Sequence, residues 1–490
     1  MSDGTALAGR RWLMWGIPAL VFLIAFLHRA APGVIAKDLM QAFGMTGAAV
    51  GLLSAMYFYS YAGFMVPGGL LIDSVGPRWV IAGGGLVMGL GSLAMGLAGS
   101  PVALFAGRLL VGLGATVTFT GALKIAGNWF PPSQFGMMSA LTATVGVLGA
   151  LIGSAPLAAL AAGLSWRGAL IIVGAVTVAG ALLCAALVRD QPASGLEVRP
   201  RGNSLRDMMA GMVRVLRNPY TWPPFLCFFF LYAAMGNFFL WSVPFLRDVY
   251  GLTTTKAALY ASLPSMALLA SAPFTGYLSD RVLRRRKLPY TVLASGQFLV
   301  WLAFVLTLGT LPLPGVCLLF LLMGVMGGAF VLTWPLGAEV NPPGLAGIAV
   351  AVTNLGGFVG AALTQGPIGA VLDAGWTGAM AEGARVYPVA SYRGGFALCA
   401  LFVLIGAATT CLLHETRGTN VHHRLRPARA SCELPGDCSG SPSDSWVVDR
   451  GARHGRAPNC SSTARRAAPR CGAASSGRPG GRPTRARGFE

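Results

Sequence analysis

Apolar runs of about twenty residues or more follow one another along most of the chain, separated by short polar stretches. Neither the polar stripe of a surface helix nor the alternation of a half-buried strand interrupts them. At ~1.5 Å per residue, twenty residues match the ~30 Å hydrocarbon core of a bilayer. The runs predict spans over 12–36, 47–72, 78–98, 101–124, 134–161 and 168–188, and again over 220–246, 257–279, 289–309, 312–338, 345–372 and 393–413. The fold class that follows is an all-α polytopic membrane protein with twelve transmembrane helices in two six-helix halves. Residues 1–188 form the N-terminal half, 189–219 a polar linker and 220–415 the C-terminal half. Residues 416–490 are rich in Arg, Pro, Gly, Ser and Ala without apolar periodicity, and they read as a disordered tail. Arg10 and Arg11 precede a run too long for a signal-peptide core, with no small-residue cleavage site, so that run is the first span.

Charged residues are 11% of the chain and hydrophobic ones 54%, whereas an ordinary soluble chain carries about 25% charged residues. The lipid bilayer is therefore the solvent for most of the surface. A net charge of +20 suggests nucleic acid until its location is read: 14 Arg stand against 6 acids from Glu415 onward. Most other basic residues lie in short loops of alternate polarity. Arg10 and Arg11, the linker with Arg199, Arg201, Arg206, Arg214 and Arg217, and the loop with Arg281, Arg284, Arg285, Arg286 and Lys287 fall on one side. Short basic loops stay cytoplasmic, so both termini are expected there and no nucleic-acid partner is expected. The tail stays open between a membrane-surface or nucleic-acid-binding segment and an unselected extension; truncation after Thr419 is expected to leave transport intact.

The halves echo each other. Phe43-Gly44-Met45-Thr46 and Gly69-Leu70-Leu71-Ile72-Asp73 recur at one common displacement as Tyr250-Gly251-Leu252-Thr253 and Gly276-Tyr277-Leu278-Ser279-Asp280. Trp166-Arg167-Gly168 is echoed by Tyr392-Arg393-Gly394. Gly69-x-Leu71-x-Asp73-x-x-Gly76-x-Arg78 closes span two, and Gly276-x-Leu278-x-Asp280-Arg281 closes span eight. These resemble the signature loop of the major facilitator superfamily, once per half, with Ser74 and Pro77 where the family usually has basic residues. A helix-ending Asp bonds neighbouring helix termini and Arg, so Asp73, Arg78, Asp280 and Arg281 are candidate gating residues. Arg108 and Gly112 form the Arg-x-x-x-Gly pattern also seen in the family; Arg108 suits a structural or gating role as well as substrate contact. Gly69, Gly76, Gly112, Gly149, Gly153 and Gly276 are candidate helix-packing positions.

Span one contains Phe26-Leu27-His28-Arg29-Ala30, two ionisable groups in an otherwise apolar helix. Arg29 either faces the interior or snorkels outward. Here the chain resembles the anion:cation symporter branch, which carries sugar acids and other organic anions, and so do Gly112-Leu113-Gly114-Ala115 and Lys124 to Pro131. The resemblance implies that Arg29 pairs with the substrate's carboxylate or phosphate, and that His28 stands where the branch has a proton-coupling acid. Ala115 replaces the acid the branch often has in span four, which leaves His28 the obvious titratable group in that half. His28, alternatively a cavity-lining group, is a substrate-binding candidate beside Arg29, and Lys124, Asn237, Trp241 and Asn354 are further ones, with Trp334 and Gln365 near them, because amides serve hydroxyls and an aromatic face serves a carbon skeleton. Span seven has no Arg, which tilts the ligand toward a monocarboxylate over an organophosphate.

No nucleotide-binding loop, nucleophile elbow, zinc helix or metal cluster stands in the sequence, so no enzyme activity and no cofactor is expected. The expected function is secondary active transport by alternating access. Its most concrete form is proton-coupled uptake of a small organic anion by a monomer in a bacterial inner membrane. An exporter or drug/proton antiporter on the same fold is the alternative, and a non-transporting membrane sensor is a third.

Overall fold

The computed structural model describes residues 2–192 and 205–425. Its helices are α1 (Ser2–Phe43), α2 (Gly47–Ser74), α3 (Pro77–Gly96), α4 (Pro101–Trp129), α5 (Phe135–Ile152) and α6 (Ala155–Leu187), followed by α7 (Leu205–Leu216) and α8 (Trp222–Tyr250). Then come α9 (Thr254–Ala261), α10 (Leu263–Tyr277), α11 (Lys287–Leu306), α12 (Leu313–Gly327), α13 (Thr333–Glu339), α14 (Ala346–Ala374), α15 (Val389–Thr409) and α16 (His422–Leu425). A hairpin of β1 (Met380–Ala381) and β2 (Ala384–Arg385) connects α14 to α15.

Eleven segments among the described residues are long and apolar enough to cross a membrane. Ten each match one predicted span. The eleventh, Phe135–Leu187, is 53 residues long and holds both the fifth and the sixth. It is not one rod: Ser165 has φ 66° and ψ 162°, a left-handed break inside α6. Arg199 and Arg201 of the linker lie outside the described residues, while α7 packs Met212, Val215 and Leu216 against Leu345, Ile348 and Val352 at the start of α14.

Among the first six helices, α3 packs against α4 and α6, α2 against α4, and α1 against α4, α5 and α6. Farther along, α8 packs against α14 and α15, α10 against α12, and α11 against α12 and α15. The two groups meet through α1 with α8, α2 with α14, α5 with α10 and α6 with α9. Glycine sets the closest of these approaches: a Cβ on Gly33 would collide with the Phe239 carbonyl, one on Gly51 with Gln365, and one on Gly369 with Gly47. Backbone contact of this kind is how small residues hold membrane helices together.

Those meetings lie toward one end of the molecule, opposite the basic loops. There Lys37 Nζ donates to Asp248 Oδ2 at 2.6 Å and to the Arg385 carbonyl. Asp373 of α14 accepts from the backbone N–H groups of Gly47 and Ala48, both at 2.8 Å. A carboxylate from one group thus caps the helix N-terminus of the other, where free donors and the helix dipole favour a negative charge. Ser154 Oγ donates to the Ala258 carbonyl at 2.6 Å. At the basic end the polar ties among the described residues stay within a group: Asp73 with Lys124, Asp190 with Arg78, and Arg286 with Asp280 and Glu339. The groups close on each other at one end and part toward the other.

Among the predicted packing glycines, Gly149 and Gly153 lie against Leu23 and Leu27 of α1, and Gly112 against Tyr57 of α2. Gly76 opens α3 at φ 101°, with Asp190 where a Cβ would stand. Gly69 and Gly276 require correction: a Cβ on either would meet open space, so neither holds two helices together here.

The start of the predicted tail also needs correction. Residues 416–425 fold back on the basic end, where Val421 N–H donates to the Glu339 carbonyl and Asn420 Nδ2 to the Asn341 carbonyl, both at 2.8 Å. From 426 onward the tail lies outside the described residues. Truncation after Thr419 is therefore expected to cost about 1–3 kcal/mol of stability relative to truncation after Leu425, since it deletes these bonds and the buried Val421. Comparing the thermal unfolding of the two truncations checks this; equal stability would mean that the strap carries nothing.

Candidate functional site

The segment around residue 28 puts its two ionisable groups on different faces of α1. Arg29 turns into a cavity of about 220 Å³ between the two helix groups, where Nη1 donates to Tyr232 Oη of α8 at 3.2 Å. Its guanidinium lies 4.1 Å from the ring centre of Phe26 and 5.1 Å from that of Phe358, with Tyr57, Phe58 and Tyr61 slightly farther off. Such rings attract a cation through their quadrupoles without neutralising it. No carboxylate pairs with Arg29 among the described residues, and its Nε is buried without a partner. The side chain stays inside, so the snorkelling alternative does not apply.

His28 faces the other way. Its Nε2 lies 3.4 Å from Thr177 Oγ1 of α6, and Arg108 Nη1 donates to its backbone carbonyl at 2.7 Å. Arg108 is fully buried with its guanidinium 4.9 Å from the Tyr57 ring centre, and its Nε and Nη2 lack partners. Both groups sit within the first helix group and outside the cavity lining.

Asn354 and Gln365 of α14 do line the cavity, and so does Trp334, whose Nε1 donates to Asn354 Oδ1 at 3.1 Å. Gln365 Nε2 donates to the Gly236 carbonyl at 3.2 Å, and its Oε1 is buried without a partner. Four expected contacts need correction: His28, already seen to face Thr177, and three more. Asn237 turns away, donating to the Ala233 carbonyl and to Thr364 Oγ1, both at 2.8 Å. Trp241 is fully buried against Tyr387. Lys124 lies at the basic end, 2.8 Å from Asp73 Oδ1. Side-chain type marked these residues; helix rotation, which a uniformly apolar span does not reveal, turned His28, Asn237 and Trp241 away, and Lys124 stands too far along α4 toward the basic end.

The gating candidates sit at the basic end with local partners. Asp73 takes Lys124, while Arg78 donates to the Ala185 carbonyl and its backbone N–H to Asp190 Oδ1. Asp280 takes Arg286, which also reaches Glu339 at 3.1 Å. Arg281 is exposed and forms no ion pair among the described residues. Sequence reasoning missed the opposite closure, Lys37 with Asp248 and Asp373 with Arg385, and the ring cage of Arg29. The signal for the closure was a charge at the ends of spans one, seven and eleven; the cage joins Phe26 of α1 and Tyr57, Phe58 and Tyr61 of α2 to Phe358 of α14, and nothing in an apolar span marks which rings turn toward Arg29.

The family model described as Major Facilitator Superfamily matches residues 19–365. A probable sulfoacetate transporter of Cupriavidus necator is 27% identical over 56% of this chain and 66% of its own length. The hexuronate transporter of Escherichia coli K12 is 26% identical over 64% of this chain and 73% of its own. A probable galactarate/D-glucarate transporter of Pseudomonas putida is 26% identical over 74% of this chain and 86% of its own. Among solved structures, an inward-facing, occupied bacterial homologue of the human lysosomal transporter Spinster superposes with a TM-score of 0.66 at 18% identity, covering 82% of this chain and 96% of that one. A nucleoside transporter superposes with a TM-score of 0.64 at 14% identity, covering 81% of this chain and 99% of that one. The chain belongs to the major facilitator superfamily of multi-pass membrane transporters, with relatives in its sugar-acid and organic-anion branch, and it is not an enzyme.

Proposed function

We propose that this protein moves a small organic anion across a bacterial inner membrane by alternating access, that Arg29 binds the anion, and that protons drive its uptake. One observation carries the reading: Arg29 lines a cavity between the helix groups, and no carboxylate among the described residues pairs with it. A cation held within a membrane is costly and is best stabilised by an anion that enters with water and leaves with it.

Twelve crossings follow if the 53-residue segment broken at Ser165 counts as two, since a straight helix of that length would run ~80 Å. An even count and the basic loops put both termini and the Asp73 and Asp280 loops in the cytoplasm. The halves are then 1–188 and 220–415, joined by the linker 189–219, and the protein functions as a monomer. The closed end faces outward and the cavity belongs to an inward-facing state. Asp73, Arg78, Asp280 and Arg281 act in the inner closure, Arg108 has a structural role through its bond to the His28 carbonyl, and the ties from Lys37 to Asp248 and from Asp373 to Gly47 form the outer closure.

His28 carries the coupling proton in this proposal, acting through α1, the helix it shares with Arg29. Thr177 and Arg108 are the polar groups it faces. His28→Gln is expected to remove the stimulation of uptake by an acid-outside gradient while anion exchange persists; retained stimulation would put the proton elsewhere.

The direct test uses proteoliposomes holding the full chain, a panel of labelled organic acids and uncharged analogues, and an imposed pH gradient. Gradient-dependent accumulation of an organic anion supports the proposal. Movement of uncharged or cationic compounds alone would overturn it in favour of an exporter on the same fold.

A further inference from the structure

We infer that the loop between α10 and α11 is a docking site for the headgroup of an anionic phospholipid, held by Arg281, Arg284 and Arg285. This one loop carries two kinds of cation. Arg286 is taken up by Asp280 and Glu339, and Lys287 Nζ donates to the Cys411 carbonyl at 2.6 Å. Arg281, Arg284 and Arg285 are exposed, and among the described residues their side chains form no hydrogen bond and no ion pair. The carboxylates beside the loop are engaged: Asp280 with Arg286, Glu339 also with Thr416 Oγ1, and Glu415 with the backbone N–H groups of Arg286, Lys287 and Arg417. The loop has a fixed shape. A widened turn over Leu278–Leu283 ends at Arg284, whose φ of 49° is left-handed, and Ser279 Oγ donates to the Arg285 carbonyl at 2.8 Å.

The surface on either side sets this patch apart from a solvated run of charge. On α10, Met266, Ala270, Phe274 and Tyr277 are exposed at helical spacing, and Arg281 continues their line. On α11, Leu288, Val292, Leu299 and Leu306 form a second exposed line that starts directly after Lys287. In a multi-pass membrane protein such apolar lines face acyl chains, so the guanidiniums at their ends stand at the level of the headgroups. An amphiphile with a negative head meets both surfaces at once: its chains lie along the apolar lines, and its phosphate takes the planar forks of the arginines. Free phosphate would meet the cations and leave the apolar lines unused. Arg281, which the inner closure also uses, is free for this contact while the basic end is parted.

The equivalent loop of the first half does not repeat the site. Ser74 and Pro77 stand where cations would, and Arg78 donates to the Ala185 carbonyl. One such site per chain is expected, independent of Arg29. An Arg near an anionic lipid surface strengthens binding about fivefold, so three give roughly a hundredfold.

Native mass spectrometry of the purified full chain in detergent, titrated with phosphatidylglycerol, zwitterionic phosphatidylcholine and inorganic phosphate, tests this beside a variant combining Arg281→Gln, Arg284→Gln and Arg285→Gln. The wild type is expected to hold one phosphatidylglycerol at least tenfold more tightly than phosphatidylcholine, and the variant to lose that preference. The variant should unfold at the wild-type temperature in lipid-free detergent, because the three side chains bond to nothing else among the described residues. Equal retention of the two lipids by the wild type, a result that needs no variant, would overturn the inference. So would an undiminished preference in the variant. Displacement of phosphatidylglycerol by inorganic phosphate would make the loop a free-phosphate site and overturn the lipid assignment.

Discussion

Arg29→Leu is expected to lower uptake of the transported anion by a hundredfold or more, with the protein still folded and inserted. Removing one member of a desolvated charge pair costs about 2–5 kcal/mol, which corresponds to roughly 30-fold to several thousandfold in affinity. On the proposed reading the partner is the ligand, so the loss is expected on transport and not on stability. The cage of Phe26, Tyr57, Phe58, Tyr61 and Phe358 accepts an aliphatic side chain readily, because it is already apolar. Arg29→Lys keeps the charge and loses the planar fork, so it should recover part of the activity at weaker affinity. Uptake that survives Arg29→Leu would make the residue structural.

Lys37→Met is expected to shift the protein toward its outward-open form and to depress uptake about tenfold. Lys37 and Asp248 are both only 6% exposed, and Asp248 also accepts from Tyr392 Oη at 2.7 Å and from the Tyr387 N–H at 3.1 Å. Closing the outer end over an unpaired Asp248 buries a charge without its counterion, and that penalty opposes closure. In the outward-open form both groups meet water and the substitution matters little, so the effect is a shift in population. A thiol probe at Ser242→Cys, in a chain whose other cysteines are replaced, reads it: an impermeant reagent applied outside should label the Lys37→Met protein at least tenfold faster. Equal labelling would mean that the ion pair does not hold the gate.

The parts legible in the sequence were those with a period or a local motif. Span positions followed from hydropathy, and Phe135–Leu187 was separable because the Trp166-Arg167-Gly168 echo interrupts it, next to the break at Ser165. Arg29 stood out because an Arg deep in an apolar run has few reasons to be there. What failed was rotation about a helix axis. Asn237 and Gly236 are adjacent, yet Gly236 lines the cavity and Asn237 turns to Thr364. The outer closure was hidden for a different reason: its four charges come from α1, α8, α14 and β2, and only the folded chain brings them together.

The central claim is that Arg29 holds the charge of the transported anion. A binding cycle on purified protein tests it most directly, with one organic acid that the proteoliposome panel identifies and its uncharged amide, each titrated into wild type and Arg29→Leu. The predicted result is a wild-type preference for the acid of about a hundredfold that vanishes in the variant, while the amide binds both proteins alike. A variant that still prefers the acid by the wild-type margin would contradict the account, because the charge would then be read by some other group.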